Sequence, residues 1–412
     1  METSVPNEQE AKVPVFKNRN YLFLFVSALF SSPGYFVYLI GAEWLMLSMS
    51  DNRFYFGMLF LAAALPRLLL LTAGGIIADR FNKRTILFLS DLFRAMLLMI
   101  LVIILFTDSI AVWHLITLAA FFGISDAFSY PVINSLPPAL LEEDQLQRGN
   151  SLIQMTNQIS PILGPALGGT LIAVLGFTGV FTVACSMLLI ATVLVLFIRL
   201  EKDNKEESGK SAWMDLKEGF AYARKNELIV SIIFMALFLN FFFSGPFTIG
   251  MPIIVKDIFQ GSAVSLATVQ TSLGVGALLG AVMLAVITLK KPGVVMIGGL
   301  IILGVLYTLT GFSANLFLTA GLVLVMAFVL QFINIPLITI LQKTTEKQML
   351  GRMMSFLMTV STGLIPLSYV VTSLLIAAGI KMQTIIIISG IIITFIALFN
   401  LKNKKILAYH KG

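Results

Sequence analysis

The chain has 412 residues, of which 58% are apolar and only 12% are charged. With a mean hydropathy of +0.94, this composition excludes an ordinary soluble domain and indicates that lipid surrounds most of the folded chain. The formal net charge of +7 comes from loop residues rather than from one basic face interleaved with aromatic side chains, which argues against nucleic acid as a partner.

Twelve apolar runs follow one another along the chain, most of them long enough for an α-helix to cross the hydrocarbon core. They lack the two-residue alternation of barrel strands, so the sequence predicts an all-α membrane protein with twelve transmembrane helices. Numbered in chain order, the predicted spans are 20–48, 54–78, 85–106, 111–131, 150–174, 178–198, 228–255, 262–289, 294–312, 315–335, 353–379 and 384–401.

A polar stretch at 199–227 divides the spans into two groups of six. It opens with EKDNKEESGK and continues as WMDLKEGFAYARK, where apolar residues recur at helical spacing, so we expect a cytoplasmic linker with an interfacial helix. A weak repeat, QRGNS at 147–151 and GRMMS at 351–355, supports two pseudo-symmetric halves. The predicted units are a tail at 1–19, a six-helix bundle at 20–198, the linker, a second six-helix bundle at 228–401 and a tail at 402–412.

The basic residues predict the topology. When both termini are placed on one side, only Arg53, Lys256 and Lys381 of the 28 Lys and Arg residues lie in loops on the other side. By the positive-inside rule, both termini are expected in the cytoplasm and the chain in the plasma or inner membrane. The first apolar run begins near Tyr21 and is longer than a signal h-region, so we expect no cleavable signal.

The short loop after span 2 reads GGIIADRFNKR. It closely resembles a loop signature of the major facilitator superfamily, with Asn82 in place of the second glycine. The matching residues, which we predict to form a gating loop, are Gly75, Asp79, Arg80, Lys83 and Arg84.

Each residue type in this loop has a physical role to play. A glycine at position 75 permits close helix contact, Asp79 can sit at the N-terminus of a neighbouring helix, and the basic cluster can bind anionic lipid headgroups. The alternative is an ordinary basic loop without a gating role.

Span 5 contains the segment GPALGG, which resembles the antiporter signature found mainly in exporters of the same superfamily, although Ser160 replaces an earlier glycine. A proline kinks the span, and glycines allow a partner helix to approach closely. The residues concerned are Gly164, Pro165, Gly168 and Gly169. A generic face for packing small residues is the alternative.

Four further segments extend the resemblance over nearly the whole chain: ALPRLLL at 64–70, SDLFRA at 90–95, DAFSYP at 126–131 and the linker's WMDLKEGFAYARK. They are similar to the branch of the superfamily that contains macrolide efflux permeases and the enterobactin exporter. The resemblance implies two six-helix bundles that alternate access to a central cavity. It does not fix the transported compound.

Five ionisable residues lie inside predicted spans, where each costs at least a few kcal/mol unless it is paired or hydrated. They are Glu43, Arg67, Asp91, Arg94 and Asp126. Asp91 and Arg94, three residues apart, share a helix face. Folding spans 2 and 3 as a hairpin makes Asp91 the expected partner of Arg67.

Three acids face two bases in this set. Asp126 lies near the cytoplasmic end, and the resemblance to the superfamily implies that it faces the arginines of the loop after span 2. This leaves Glu43 as the odd carboxylate. A carboxylate without a cation in low dielectric loads a proton readily, so Glu43 is the first candidate for proton coupling. The alternatives are an interfacial carboxylate near Arg53 for Glu43, and a purely structural ion network for Arg67, Asp91 and Arg94.

The second half of the chain carries polar amides among many aromatic side chains, a lining that suits a large amphipathic substrate. The cavity candidates are Asn240, Phe243, Gln270, Gln331 and Asn334. For any single aromatic, packing against lipid or other helices is the better explanation.

These features favour a secondary transporter that exports an amphipathic drug-like compound or a siderophore in exchange for protons. We find no GxxxxGK[ST] phosphate loop for ATP, and no HExxH or GxSxG motif of an intramembrane enzyme. A single cysteine, Cys185, and two unrelated histidines predict no metal site, and no cofactor is expected. The expected partners are a small-molecule substrate, protons and lipids, with a monomeric chain. An importer or facilitator of a small metabolite, and more distantly a non-transporting receptor, are the alternatives.

Overall fold

The computed structural model describes residues 15–142, 145–200, 212–287, 289–346, 348–402 and 406, but not the side chains of Asp79 and of residues 212–216. All regular structure in this part is helical. The α-helices are α1 (Arg19–Met49), α2 (Arg53–Arg80), α3 (Lys83–Phe106), α4 (Val112–Ser135), α5 (Pro137–Leu140), α6 (Leu146–Leu196), α7 (Ala212–Ala223), α8 (Glu227–Leu239), α9 (Gly245–Ile253), α10 (Ala263–Val286), α11 (Pro292–Phe312), α12 (Leu316–Thr344), α13 (Leu350–Gly363), α14 (Ile365–Ala377) and α15 (Met382–Asn400).

Helix α6 contains two membrane spans. Its 51 residues would extend about 75 Å as one straight helix, more than twice the thickness of a hydrocarbon core. Gly176 breaks the helix with a φ of 67°, a left-handed conformation that glycine adopts at little cost. Eleven helical segments of the described chain are long and apolar enough to cross a membrane, and dividing α6 at Gly176 gives twelve. The predicted all-α fold is confirmed.

Span 7 is a broken helix made of α8 and α9, joined by a π-helical segment at Asn240–Ser244. Ser368 of α14 causes this break: its hydroxyl donates a hydrogen bond to the carbonyl of Phe241 and accepts one of 3.0 Å from the N–H of Gly245. In an uninterrupted α-helix these two backbone groups would bond each other, because they are four residues apart. The inserted hydroxyl separates them and widens the helix.

The two ends of the helical bundle are defined by contacts among loops. The N–H of Arg199 donates to the side chain of Asn20, 3.0 Å away, and the Arg84 guanidinium donates to the carbonyl of Leu196. We call this end, which includes residues 15–20, 80–84 and 197–200, the terminal end. The distal end includes residues 50–53 and 257–263.

The first six spans contact the last six mainly along two pairs of helices, α2 with α14 and α6 with α10. Within the first six, α1 packs on α6 and α2 on α4. Within the last six, α10 packs on α12 and α11 on α15. Helix α7 of the linker lies on α13, where Glu218 forms an ion pair of 2.6 Å with Arg352 and the Tyr222 hydroxyl accepts a bond from the N–H of Glu346.

Two glycines set the distance between α2 and α4. A Cβ at Gly74 would lie 2.0 Å from the carbonyl oxygen of Ala127, and a Cβ at Gly123 would lie 2.1 Å from that of Ala63. No side chain larger than hydrogen fits at either position while the helices stay where they are.

The prediction that Gly75 permits close helix contact is wrong. A Cβ at Gly75 would meet no atom within 4 Å, because this residue points away from α4. Its neighbour Gly74 makes the close contact instead.

This difference gives a matched pair of substitutions. Gly74→Ala should destabilise the protein by about 1–3 kcal/mol, because the added methyl group forces α2 away from the backbone of α4. Gly75→Ala should leave the stability unchanged or raise it slightly through better helix propensity. Thermal unfolding of the purified protein in detergent measures both, and equal midpoints for the two variants would contradict the assigned contact.

Candidate functional site

Four of the five predicted intramembrane charges form one connected network at the junction of α2, α3 and α4. The Nε of Arg67 lies 2.9 Å from the Asp126 carboxylate, and the guanidinium of Arg94 lies 3.1 Å from the same carboxylate. Arg94 also lies 3.7 Å from Asp91. Two acids thus balance two bases, which removes the cost of isolated charges at membrane depth.

Hydroxyl groups complete this network. The Ser31 hydroxyl on α1 donates to Asp91 over 3.2 Å, and the Arg94 guanidinium donates to the Ser129 hydroxyl over 2.8 Å. Arg94 is buried, whereas 46% of the Arg67 side chain is exposed. The Arg67 guanidinium also lies 5.3 Å from the centre of the Tyr130 ring, within reach of a cation–π contact. Arg67 therefore faces an opening of the bundle.

The expected pair of Arg67 and Asp91 is not formed, because Arg67 bonds Asp126 instead. The prediction assumed that spans 2 and 3 pack against each other as a hairpin. In the structure, α2 lies along α4, where Gly74 and Gly123 allow close contact, and it touches α3 much less. The same packing corrects the position of Asp126, which faces Arg67 and Arg94 rather than the arginines of the loop after span 2.

Two basic residues of the predicted gating loop cap helix ends. The Lys83 ammonium group donates to the carbonyl of Ser135, 3.2 Å away at the end of α4, and Arg84 donates to that of Leu196 at the end of α6. Both satisfy carbonyls that lack a partner within their own helix. Arg80 is exposed at the end of α2, and the side chain of Asp79 lies outside the described residues.

Glu43 stands apart from the network. Its residue is only 2% exposed, and its carboxylate accepts a hydrogen bond of 2.7 Å from the amide nitrogen of Gln270 on α10. The structure gives it no ion pair with any described residue. Glu43 is thus a buried carboxylate at a contact between the first and second halves of the chain, and not a residue at the membrane surface near Arg53.

The distal end is closed by further contacts between the halves. The Arg53 guanidinium at the start of α2 binds both carboxylate oxygens of Asp257, at 2.5 and 2.9 Å. Beside this pair, the Lys256 ammonium group lies 5.0 Å from the centre of the Trp44 ring. Bidentate geometry and partial burial make such a pair stronger than a single surface contact.

This closure was not predicted from the sequence, although a signal was present. Of the three basic loop residues assigned to the side opposite the termini, Arg53 and Lys256 make the contacts, and Asp257 follows Lys256 directly. Charges that are rare on one side of a membrane protein are candidates for pairing with each other.

The glycines of the antiporter-like segment contact two different helices. Added Cβ atoms at Gly164 and Gly168 would lie 2.2 and 2.4 Å from side chains of α1, those of Phe36 and Ile40. A Cβ at Gly169 would lie 2.5 Å from the Ala267 side chain of α10. With Pro165, which is also buried, this segment holds α6 between α1 and the second half of the chain.

The cavity candidates of the second half are not gathered into one group. Gln270 reaches Glu43, whereas the Asn240 amide donates to the carbonyl of Ala236 in its own helix, 2.9 Å away. The Phe243 ring stacks on that of Phe247 with 5.0 Å between their centres. Gln331 packs against Gly280 of α10, and Asn334 is exposed.

The described residues contain no group of three or more His, Cys, Asp or Glu side chains that could hold a metal ion. The site consists instead of a neutral ion network, a separate buried carboxylate and a closed distal end.

The chain belongs to the Major Facilitator Superfamily, whose family model matches residues 24–369. It is therefore a multi-pass membrane transporter, a class that carries small molecules.

Two curated relatives and one solved structure illustrate its neighbours. The chain is 26% identical to the uncharacterized MFS-type transporter YkuC of Bacillus subtilis over 379 residues, which cover 86% of each chain. It is 23% identical to macrolide efflux protein A of Streptococcus pyogenes over 331 residues, which cover 79% of this chain and 81% of that protein. A bacterial homologue of the human lysosomal transporter Spinster, crystallised in an inward-facing and occupied conformation, matches with a TM-score of 0.71 at 14% identity, over 96% of this chain and 98% of that one. At this identity the structural likeness concerns the fold alone.

The contribution of the distal ion pair to closure can be tested by reversing one charge of the pair, and then by exchanging both. Arg53→Asp or Asp257→Arg alone should open the distal end more often, because two like charges replace the pair, whereas the double variant should restore closure. A cysteine introduced at the buried Ala267, in a Cys185→Ser background, reports opening through its reaction rate with a membrane-impermeant maleimide. Each single variant should react about threefold to tenfold faster, as expected for a pair worth about 1 kcal/mol. A double variant that reacts as fast as the singles would show that the two charges act independently.

Proposed function

We propose that this transporter exports amphipathic drug-like compounds in exchange for protons, by alternating access between two six-helix halves. The terminal end would face the cytoplasm, in the plasma or inner membrane. The observation that carries the proposal is Glu43, a buried carboxylate without a cation, bonded to Gln270 across the contact between the halves.

The charge balance supports Glu43 as the coupling group. Arg67 and Arg94 are neutralised by Asp91 and Asp126, so none of these four needs a proton to stay at membrane depth. Glu43 has only an amide as partner, and an amide does not cancel a negative charge. Because an unpaired ion is costly in low dielectric, Glu43 is the residue at which binding a proton relieves the largest cost.

The position of Glu43 supports a link between that proton and the conformation. With the distal end closed, Glu43 is shut away from water, so the closed arrangement favours the neutral, protonated side chain. Loss of the proton leaves a charge that becomes hydrated only if α1 and α10 separate. Protonation would therefore favour the closed distal end, and deprotonation would favour its opening toward the outside.

Movement of the halves would occur along the two interhalf helix pairs. Gly169 lets α6 and α10 touch near the distal end, and Ser368 of α14 holds the break in span 7. The small residue at Gly169 and the widened helical turn beside Ser368 both allow helices to change their contacts without unfolding. We expect the gating loop after span 2 to fix the terminal end in one of the two conformations.

Two observations favour export over import, one from a sequence segment and one from a similar protein. The GPALGG segment follows a pattern of exporters, and macrolide efflux protein A is similar over most of both chains. These favour a macrolide-like compound over a siderophore. The alternative, an importer or facilitator of a small metabolite, would move substrate in the same direction as protons or without them.

The test is a neutral substitution of the carboxylate. Glu43→Gln keeps the size and the hydrogen-bonding capacity of the side chain but cannot take up a proton. In inside-out vesicles with an imposed pH gradient, it should lose uphill transport of a macrolide, while substrate binding and downhill exchange persist because they need the cavity alone. Glu142→Gln, the same change in an exposed loop residue, serves as the matched control and should behave like the parent.

Two outcomes would overturn the role of Glu43. If Glu43→Gln still concentrates the macrolide like the parent, the proton is carried elsewhere, with Asp91 and Asp126 next to examine. If binding is lost completely, Glu43 contacts the substrate rather than coupling it. A parent protein that transports no compound of a broad panel in either direction would contradict the proposed function as a whole.

A further inference from the structure

Helix α6 changes its surroundings halfway along span 5. Near the distal end it touches α10: the Thr271 hydroxyl donates to the carbonyl of Ile162 over 3.3 Å, and a Cβ at Gly274 would lie 2.5 Å from the Ile162 side chain. Residues one and two turns before Ile162 on the same face, Gln158 and Gln154, are exposed. The two helices therefore separate between Ile162 and the terminal end and leave a cleft there.

Three amide side chains line the α6 side of this cleft. Gln154, Asn157 and Gln158 are all exposed and cover the sector of α6 between its contacts with α1 and with α10. None of the three amide groups makes a hydrogen bond to another described residue. Gln158 lies ten residues beyond Arg148, about 15 Å along the helix axis, so it is well inside the membrane.

These amides face water rather than lipid. An unpaired amide in hydrocarbon would cost several kcal/mol, and three of them on one helix would not be stable there. The lipid-facing side of α6 is recognisable instead by Leu163 and Leu167, which are 46% and 47% exposed and lie on a different side of the helix. The opposite wall of the cleft, on α10, is apolar. Leu278 and Val282 follow Gly274 by one and two turns on the same face of the helix, and both are exposed.

We infer that this cleft is the substrate-binding surface and that Gln154, Asn157 and Gln158 select a compound with hydroxyl and carbonyl groups on one face and an apolar opposite face. Each amide offers donors and an acceptor but no charge, so the wall matches an uncharged, oxygen-rich surface. A polyhydroxylated macrolactone presents such a surface, while its hydrocarbon face fits Leu278 and Val282. This inference rests on the proposed export function and names the chemistry of its substrate.

Binding of two probes to the purified protein in detergent tests the inference. Erythromycin carries many hydroxyl groups, whereas tetraphenylphosphonium is a bulky cation with an apolar surface and no hydrogen-bonding group. Each of Gln154→Ala, Asn157→Ala and Gln158→Ala should weaken erythromycin binding about threefold to tenfold, the effect of one lost hydrogen bond. Tetraphenylphosphonium binding should change less than twofold. Leu167→Ala, on the lipid-facing side of α6, should leave both unchanged.

The outcomes separate this inference from the proposed function. If the parent binds erythromycin and exports it, but the three amide variants bind it as the parent does, the amides only hydrate the cleft and the inference fails while the exporter stands. Equal weakening of both probes would show a general disturbance of the cleft and would also overturn the inference. If the parent binds and moves neither probe, nor any compound of the broader panel, the proposed function fails and the inference with it.

Discussion

The cost of placing a charge at membrane depth organises the first half of this transporter. Glu43, Arg67, Asp91, Arg94 and Asp126 would each destabilise a lipid-embedded helix if left alone. Four of them cancel in a network that joins α2, α3 and α4. The fifth residue, Glu43, cannot join, because it lies on α1 against α10 with an amide as its partner. Structural stability thus accounts for the four, and we propose that the exception, Glu43, is the residue whose protonation influences the conformation.

Backbone contacts decide which charges meet. Gly74 and Gly123 bring α2 against α4 so closely that Arg67 reaches Asp126, and Asp126 then binds Arg94 as well. The same principle operates between the halves, where Gly169 admits the side chain of Ala267. The halves are packed closely together at the distal end. At the terminal end they are apart, and the amide-lined cleft lies between them. The paired Arg53 and Asp257 add an electrostatic contribution to the closed side.

Much of the fold was predictable from the sequence, because a membrane-spanning helix requires a long apolar run whatever its neighbours are. The break at Gly176 also follows from the sequence, since a 51-residue apolar segment is too long for one crossing. The charge count left Glu43 without a cation, and in the structure its hydrogen-bond partner is the amide of Gln270, although the count assumed the wrong partners for Arg67 and Asp126. Sequence spacing describes one helix at a time, and these partners depend on which helices touch.

The contacts between the halves could not be derived from local pattern. Arg53 and Asp257 are 204 residues apart, and Glu43 and Gln270 are 227 apart. The amides of α6 are a signal in the sequence, because exposure to lipid would favour apolar residues there. Which helices flank them, however, is visible only in the contacts of α6 with α1 and α10. Gly75 and Gly74 are adjacent glycines, and only the direction of each missing Cβ shows which one makes the helix contact.

The central claim is that the protonation of Glu43 governs closure of the distal end. Electron–electron double resonance measures it most directly, with spin labels on cysteines at Ser109 and Ala314, which lie in distal loops of the two halves, in a Cys185→Ser background. In lipid nanodiscs, the distance between the labels should lengthen as the pH rises, because a deprotonated Glu43 favours opening. In the Glu43→Gln protein the distance should stay short at every pH. An equal pH-dependent change in both proteins, or no change in the parent, would contradict the account.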